Sequence, residues 1–310
     1  MDLTQLFDVD ILAATIRVSV PILLAALGGL LCMRAGVFNI ALEGQMLVGA
    51  FCGIAATEIF GSTWAGVIAG LLGGLAISMV LAVAVLRFKA DQIVAGIAIN
   101  LLALGGTGFA LQRLFGVPGI FRPTDMQPLP KVDIPFLTGD DPISKTLSGH
   151  TPLVYVAFVL VGVTWVMLYK MPSGLRLRSV GEQPNAARTA GISPDRVQFL
   201  AIAWSGLLCG LAGAHLSLGY ASEFVENMTN GRGFTAFVAA IFGQLDPILT
   251  MLASLLFGFA EALGLRIQLE GFGISPSIVQ MFPYVLAIVV LTISSAAAMK
   301  RRGRRNGLEA

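Results

Sequence analysis

Charge is scarce in this chain. Only 12% of its 310 residues are Asp, Glu, Lys or Arg, and the formal net charge is +2. No soluble domain of this length covers its apolar surface with so few charges, so a water-soluble globule is excluded, and no nucleic-acid partner is expected. Three cysteines, Cys32, Cys52 and Cys209, all sit in apolar runs without metal-ligand spacing. They exclude a disulfide framework and read as small buried hydrophobes. The two histidines, His150 and His215, form no histidine–carboxylate zinc motif, so no metal is expected, and His215 reads as hydrogen-bonded packing. No Gly-x-x-x-x-Gly-Lys-Ser/Thr loop and no nucleophile elbow occur, so the chain is not expected to be an enzyme, to bind ATP or to need a cofactor of its own. Residues 1–10 are acidic and lack the basic start and small-residue cleavage site of a signal peptide, so the first apolar run is expected to be retained.

What is abundant is apolar sequence. Hydrophobic residues make up 56% of the chain, and the mean hydropathy is +0.82. Long apolar runs cover about 11–32, 37–60, 64–86, 92–112, 152–170, 197–218, 248–267 and 278–298, with a shorter one at 234–245. At ~1.5 Å per residue the long ones span a hydrocarbon core of ~30 Å, and lipid admits them only as helices. The expectation is an all-α membrane protein: one transmembrane domain, 1–310, folded as a polytopic bundle of about 8–10 transmembrane helices. Glycines repeat every four residues at Gly66, Gly70 and Gly74, at Gly206 and Gly210, and at Gly49 and Gly53, a spacing that predicts close helix seams.

Thirteen of the twenty basic residues collect on one side if the junction 33–36, the turn 87–91, the segment 170–196 and the tail 299–310 share a face. That side reads as the cytoplasm, with a cytoplasmic C-terminus. The segment 113–150, rich in proline, becomes a long outer loop. The cytoplasmic excursion 171–196 carries its own helical signal, with Pro184 suited to a first helical turn and Gly191 to a C-terminal cap. A small-faced helix flanked by arginines is shaped to enter a groove on another protein.

Polar residues inside the spans are costly, at roughly 2.5–3.5 kcal/mol for a carboxylate at a helix centre, and therefore informative. Asn39, Glu43, Gln92, Asn100 and Glu261 stand out. Asn39 and Glu43 are expected chiefly to brace the bundle. Asn100, about nine residues into its span, is expected to touch a solute path. Arg17 needs a partner, for which Glu261 is one candidate. A weak echo relates Arg34…Phe38…Gly44-Gln45 to Arg232…Phe234…Gly243-Gln244, and such inverted repeats with broken helices mark transporter sites.

These residues also carry a family resemblance. Residues 185–191, Asn-Ala-Ala-Arg-Thr-Ala-Gly, resemble the EAA-loop pattern of ABC-importer permeases, with Asn185 where a glutamate often stands. Gly36-Val37-Phe38-Asn39-Ile40-Ala41-Leu42-Glu43-Gly44 is similar to the G-V-x-N-I-G-x-E-G signature of nucleoside and simple-sugar permeases, with Ala41 replacing the usual glycine. Further matches are the run from Asp91-Gln92 to Asn100, Gly231-Arg232-Gly233-Phe234 through Phe242-Gly243, and Pro283-Tyr284-Val285-Leu286, in order along nearly the whole chain. The resemblance implies an inner-membrane permease subunit of an ABC importer carrying a nucleoside or simple sugar inward. Its implied partners are ATP-hydrolysing cassette subunits, a second permease (this chain or a similar one) and an extracytoplasmic solute-binding protein. Coupling to the ATPase would fall to Gly181, Glu182, Ala186, Ala187 and Gly191. The translocation path or its polar cluster would involve Asn39, Glu43, Gln92, Asn100 and Phe234. A branched-chain amino acid permease shares this architecture, and an ion-coupled secondary transporter is the alternative from another class.

Overall fold

A computed structural model describes residues 9–269, apart from 124, 125, 127, 133–145 and 147, together with positions 281, 285 and 292. The apolar runs form helices: α1 (Val9–Arg34), α2 (Leu42–Phe60), α3 (Thr63–Ala82), α4 (Gln92–Phe115), α5 (Pro152–Lys170), α6 (Pro172–Glu182), α7 (Pro184–Thr189), α8 (Pro194–Ala214), α9 (Arg232–Phe242) and α10 (Pro247–Leu269). Wider π-type turns extend α3 over Val83–Arg87 and α8 over His215–Ala221. A two-residue ribbon, β1 (Ile120–Phe121) against β2 (Phe224–Val225), is the one named sheet among the described residues. Six of these helices are long and apolar enough to cross a membrane. The run at 278–298, apart from positions 281, 285 and 292, lies outside the described residues.

α2 occupies the centre, buried along most of its length against α3, α8, α4 and α9. Glycine makes that burial dense. A Cβ on Gly49 would come within 2.6 Å of Gly210 Cα, one on Gly66 within 2.6 Å of the Gly53 carbonyl, and one on Gly70 within 2.8 Å of the Gly49 carbonyl. The three seams expected from spacing thus meet one another, joining α2, α3 and α8 at backbone contact distance, where dispersion rather than dehydration holds helices together.

The second apolar run enters its helix later than hydropathy indicates. α1 stops at Arg34, Gly36 takes a left-handed φ of +78°, and residues 37–40 run without helix before α2 begins at Leu42. A helix starting at 37 is expected from the sequence; the glycine turn and an Asx turn, in which Asn39 Oδ1 accepts from the Ala41 N–H at 3.0 Å, postpone it. α3 and α4 both end or begin on the face bearing Arg34, where Lys89 pairs with Asp195 at 3.7 Å. α6 and α7 lie on that same arginine-rich face.

Candidate functional site

The non-helical stretch after Arg34 is held by a ladder of side chains from α4. Asp91 caps that helix, accepting from the backbone N–H of Ile93 and Val94 at 2.9 Å. Gln92 then accepts from the Phe38 N–H at 2.7 Å. A turn later, Gly96 lets the backbone of 40–41 approach so closely that a Cβ there would lie 3.1 Å from that of Ile40. Another turn on, Asn100 accepts from the Gly44 N–H at 2.8 Å and donates to the Ile40 carbonyl at 3.0 Å. Gly44 is in the first turn of α2, so Asn100 satisfies one of its orphan amides. An amide has two donors and two lone pairs, so half the capacity of Asn100 stays over for other partners. Asn39, fully buried, folds its oxygen back to the Ala41 N–H at 3.0 Å and donates to Ser205 Oγ at 2.9 Å and Gln45 Oε1 at 3.2 Å.

Glu43 reaches in the other direction. Its two carboxylate oxygens accept from the N–H groups of Gly231, at 2.8 Å, and Gly233, at 2.6 Å, at the start of α9. The approach requires glycine at 233, since a Cβ there would lie 2.5 Å from Glu43 Cα. A negative charge therefore sits at the positive end of α9. At its other end, Arg34 donates to the Leu245 carbonyl at 2.9 Å and to that of Gln244 at 3.5 Å, placing a cation at the negative end. Each charge is favourable by roughly 0.3–1 kcal/mol against a helix dipole, and up to ~2 kcal/mol when partly buried. The echoing segments thus lie side by side in opposite senses, Arg34 at one end of α9 and Arg232 at the other.

Arg232 forms an ion pair with Glu261 of α10 and donates to the Met228 carbonyl at 2.9 Å. Glu261 is therefore not the partner of Arg17, whose Nε instead donates to the Ala13 carbonyl at 3.4 Å within its own helix. Sequence distance had left that pairing open, and only the packing of α9 on α10 resolves it. His215 is buried with Nε2 3.4 Å from the Arg17 carbonyl, a packing position. Phe234, next to Gly233, is 45% exposed.

The arginine-rich face carries the second constellation. α6 packs on the end of α5 through Gly174, and its Leu177 and Val180 are buried. Its last turn places Gly181 directly against the backbone of Arg34 and Gly36, and a Cβ on Gly36 would in return lie 3.4 Å from Gly181 Cα. Gln198 of α8 donates to the Ala35 carbonyl at 3.1 Å. α7 begins with Pro184 and closes on Gly191, whose φ of +80° favours glycine. Glu182, Ala186 and Gly191 are exposed, whereas Ala187 is buried and seats the short helix on the body. Nearby, Arg178 lies over the Tyr169 ring at 5.3 Å, and the Tyr169 hydroxyl donates to Asp246 at 2.9 Å. Asp246 also caps α10 through Ile248 and Leu249. Tyr169 and Asp246 were not singled out in the sequence; the Asp-Pro step before an apolar run was the available signal.

A central broken helix pair, joined by backbone to an exposed helical platform on a basic face, defines a multi-pass membrane transport subunit. Residues 11–291 match the family described as "Branched-chain amino acid transport system / permease component", and the chain belongs to it. It is 38% identical to the guanosine ABC transporter permease protein NupQ of Bacillus subtilis, over 98% of both chains. It is 35% identical to the nucleoside ABC transporter permease protein NupC of Lactococcus lactis, over 91% of both. A second guanosine ABC transporter permease protein of B. subtilis, NupP, is 27% identical over 92% of this chain and 81% of its own.

Proposed function

We propose that this chain is the permease subunit of an ABC importer that carries nucleosides inward. The carrying observation is its 38% identity to the B. subtilis guanosine permease along nearly the full length of both. In this reading the arginine-rich face is cytoplasmic, as the positive-inside rule requires. The exposed surface of α6–α7, with Glu182, Ala186 and Gly191, receives a cassette ATPase, where ATP is bound and hydrolysed. Motion there reaches the membrane interior through Gly181 and the backbone of 34–36, and then through 37–44 to the facing ends of α2 and α9. A second, similar permease completes the path, a role that the existence of two guanosine permease chains in one organism favours. A solute-binding protein delivers at the opposite face, and 1–310 acts as one permease domain.

The two carboxylates that would favour an ion-coupled transporter are Glu43 and Glu261. Glu43 is engaged by two backbone amides and Glu261 by Arg232, which leaves neither free. The test is reconstitution in liposomes with the ATPases, the second permease and the binding protein. ATP-dependent uptake of guanosine well above that of glucose or leucine is expected. Guanosine uptake that persists without ATPase subunits overturns the ABC reading, and preference for glucose or leucine overturns the nucleoside assignment.

A further inference from the structure

The chain between β2 and α9 crosses the middle of the protein without helix. Its depth can be read against α2. Phe224 packs edge-on to Phe51 with ring centroids 5.4 Å apart, and the Gly231 N–H bonds Glu43 at 2.8 Å. Positions 43 and 51 of α2 are ~12 Å apart along its axis, and Phe51 lies ~14 Å from its end at Phe60. Residues 225–231 therefore run from ~14 to ~26 Å below the Phe60 end of α2, while the eleven-residue α9 holds Gly231 ~16 Å from the Arg34 contact at its other end, which keeps the segment inside a ~30 Å core. They do so as successive turns, with Met228 N–H donating to Val225 and Asn230 N–H to Asn227, both at 3.0 Å. Asn227 and Asn230 take left-handed φ values of +60° and +42°, which asparagine tolerates better than most residues.

Glu226, Asn227 and Asn230 are exposed. Irregular backbone at membrane depth does not face lipid; it is buried in protein or lines water. A carboxylate with two amides is poorly suited to a dry contact, because each unpaired polar group is costly there. The neighbouring surface of α4 is bare. A Cβ on Gly108 would lie 2.6 Å from Glu226 Oε1, while Gly105 and Gly106 face open space.

We infer that Glu226, Asn227 and Asn230 form the polar wall of a water-filled translocation path and contact the solute at its midpoint, with Phe234 beside them. The inference deepens the proposed transport function and names the chemistry of recognition. A carboxylate accepts from vicinal sugar hydroxyls, two amides donate and accept, and a half-exposed aromatic ring offers a face to a planar base. The solute class that fits is a neutral, hydroxyl-bearing ribosyl compound with a planar base.

Two measurements decide it. Single cysteines at 226, 227 and 230, in a chain with Cys32, Cys52 and Cys209 replaced by alanine, should react with a hydrophilic, charged thiosulfonate at least tenfold faster than cysteines at Trp64 or Ile68, which lie on the exposed apolar row of α3. Equal, slow labelling means a dry or lipid-covered face and overturns the inference, whatever the transporter carries. In the reconstituted complex, Asn227→Gly and Asn230→Gly keep the left-handed backbone while removing the amides. Together with Glu226→Gln, each should cut ATP-dependent guanosine uptake at least fivefold per complex at unchanged melting temperature. Wild-type guanosine uptake by all three overturns the solute contact. Failure of the unmutated complex to carry guanosine would instead count against the nucleoside assignment, and labelling would still judge the path.

Discussion

Glu43 and Asn100 place opposite demands on the same short stretch of backbone, one pulling it toward α9 and the other toward α4. Bonds from backbone amides to a charged acceptor contribute roughly 1.5–3 kcal/mol each. Glu43→Ala should therefore lower the melting temperature of the purified complex by several degrees, and Glu43→Gln should lower it too, since its –NH2 faces a donor. Full stability with lost uptake would assign Glu43 to the solute instead. Asn100→Leu strands the Gly44 N–H and the Ile40 carbonyl, so it should lower both stability and uptake per complex, at ~1–3 kcal/mol for an orphaned buried group. Loss of uptake alone, at wild-type melting temperature, would give Asn100 purely to the path. These polar residues were legible in the sequence because each interrupts an apolar run. Their partners were not. The amide that Glu43 binds lies 188 residues further on, and nothing local to either segment encodes an approach that only the meeting of the first turns of α2 and α9 creates.

Helices were legible as elements from hydropathy, and their seams from glycine spacing. Gly49→Val or Gly210→Val should overpack the α2–α8 contact, at about 1–3 kcal/mol or more, and reduce the yield of assembled complex on size-exclusion chromatography. Gly162→Val, where a Cβ meets nothing within 4 Å, should leave that yield unchanged. Equal yields for all three variants would remove the seam's role. What hydropathy missed was discontinuity. Residues 37–41 are largely apolar, and the non-helical path through them is set by a left-handed glycine and by hydrogen bonds from α4, neither of which alters composition. The π-type turns at Val83–Arg87 and His215–Ala221 were hidden for the same reason.

For the whole molecule, the expected orientation and coupling make one joint prediction. Single cysteines at Ser173 and Gln112 should be labelled from opposite sides of sealed vesicles by an impermeant reagent; labelling of both from one side would reverse the topology. Ala186→Glu places a charge on the exposed surface of α7 without disturbing the buried Ala187 beneath it. It should uncouple ATP hydrolysis from uptake tenfold or more while assembly stays normal, and unchanged uptake would remove α7 from the ATPase contact. The clamp on α9 carries a consequence for chain length. Arg34 and Glu43 belong to one ten-residue stretch, yet they grip opposite ends of the same eleven-residue helix. Inserting a single alanine into α9 advances one end by ~1.5 Å and turns it by ~100° relative to the other. Both grips cannot then be met, so this helix behaves as a gauge of fixed length. It tolerates substitution along its exposed side but no change in the number of its residues.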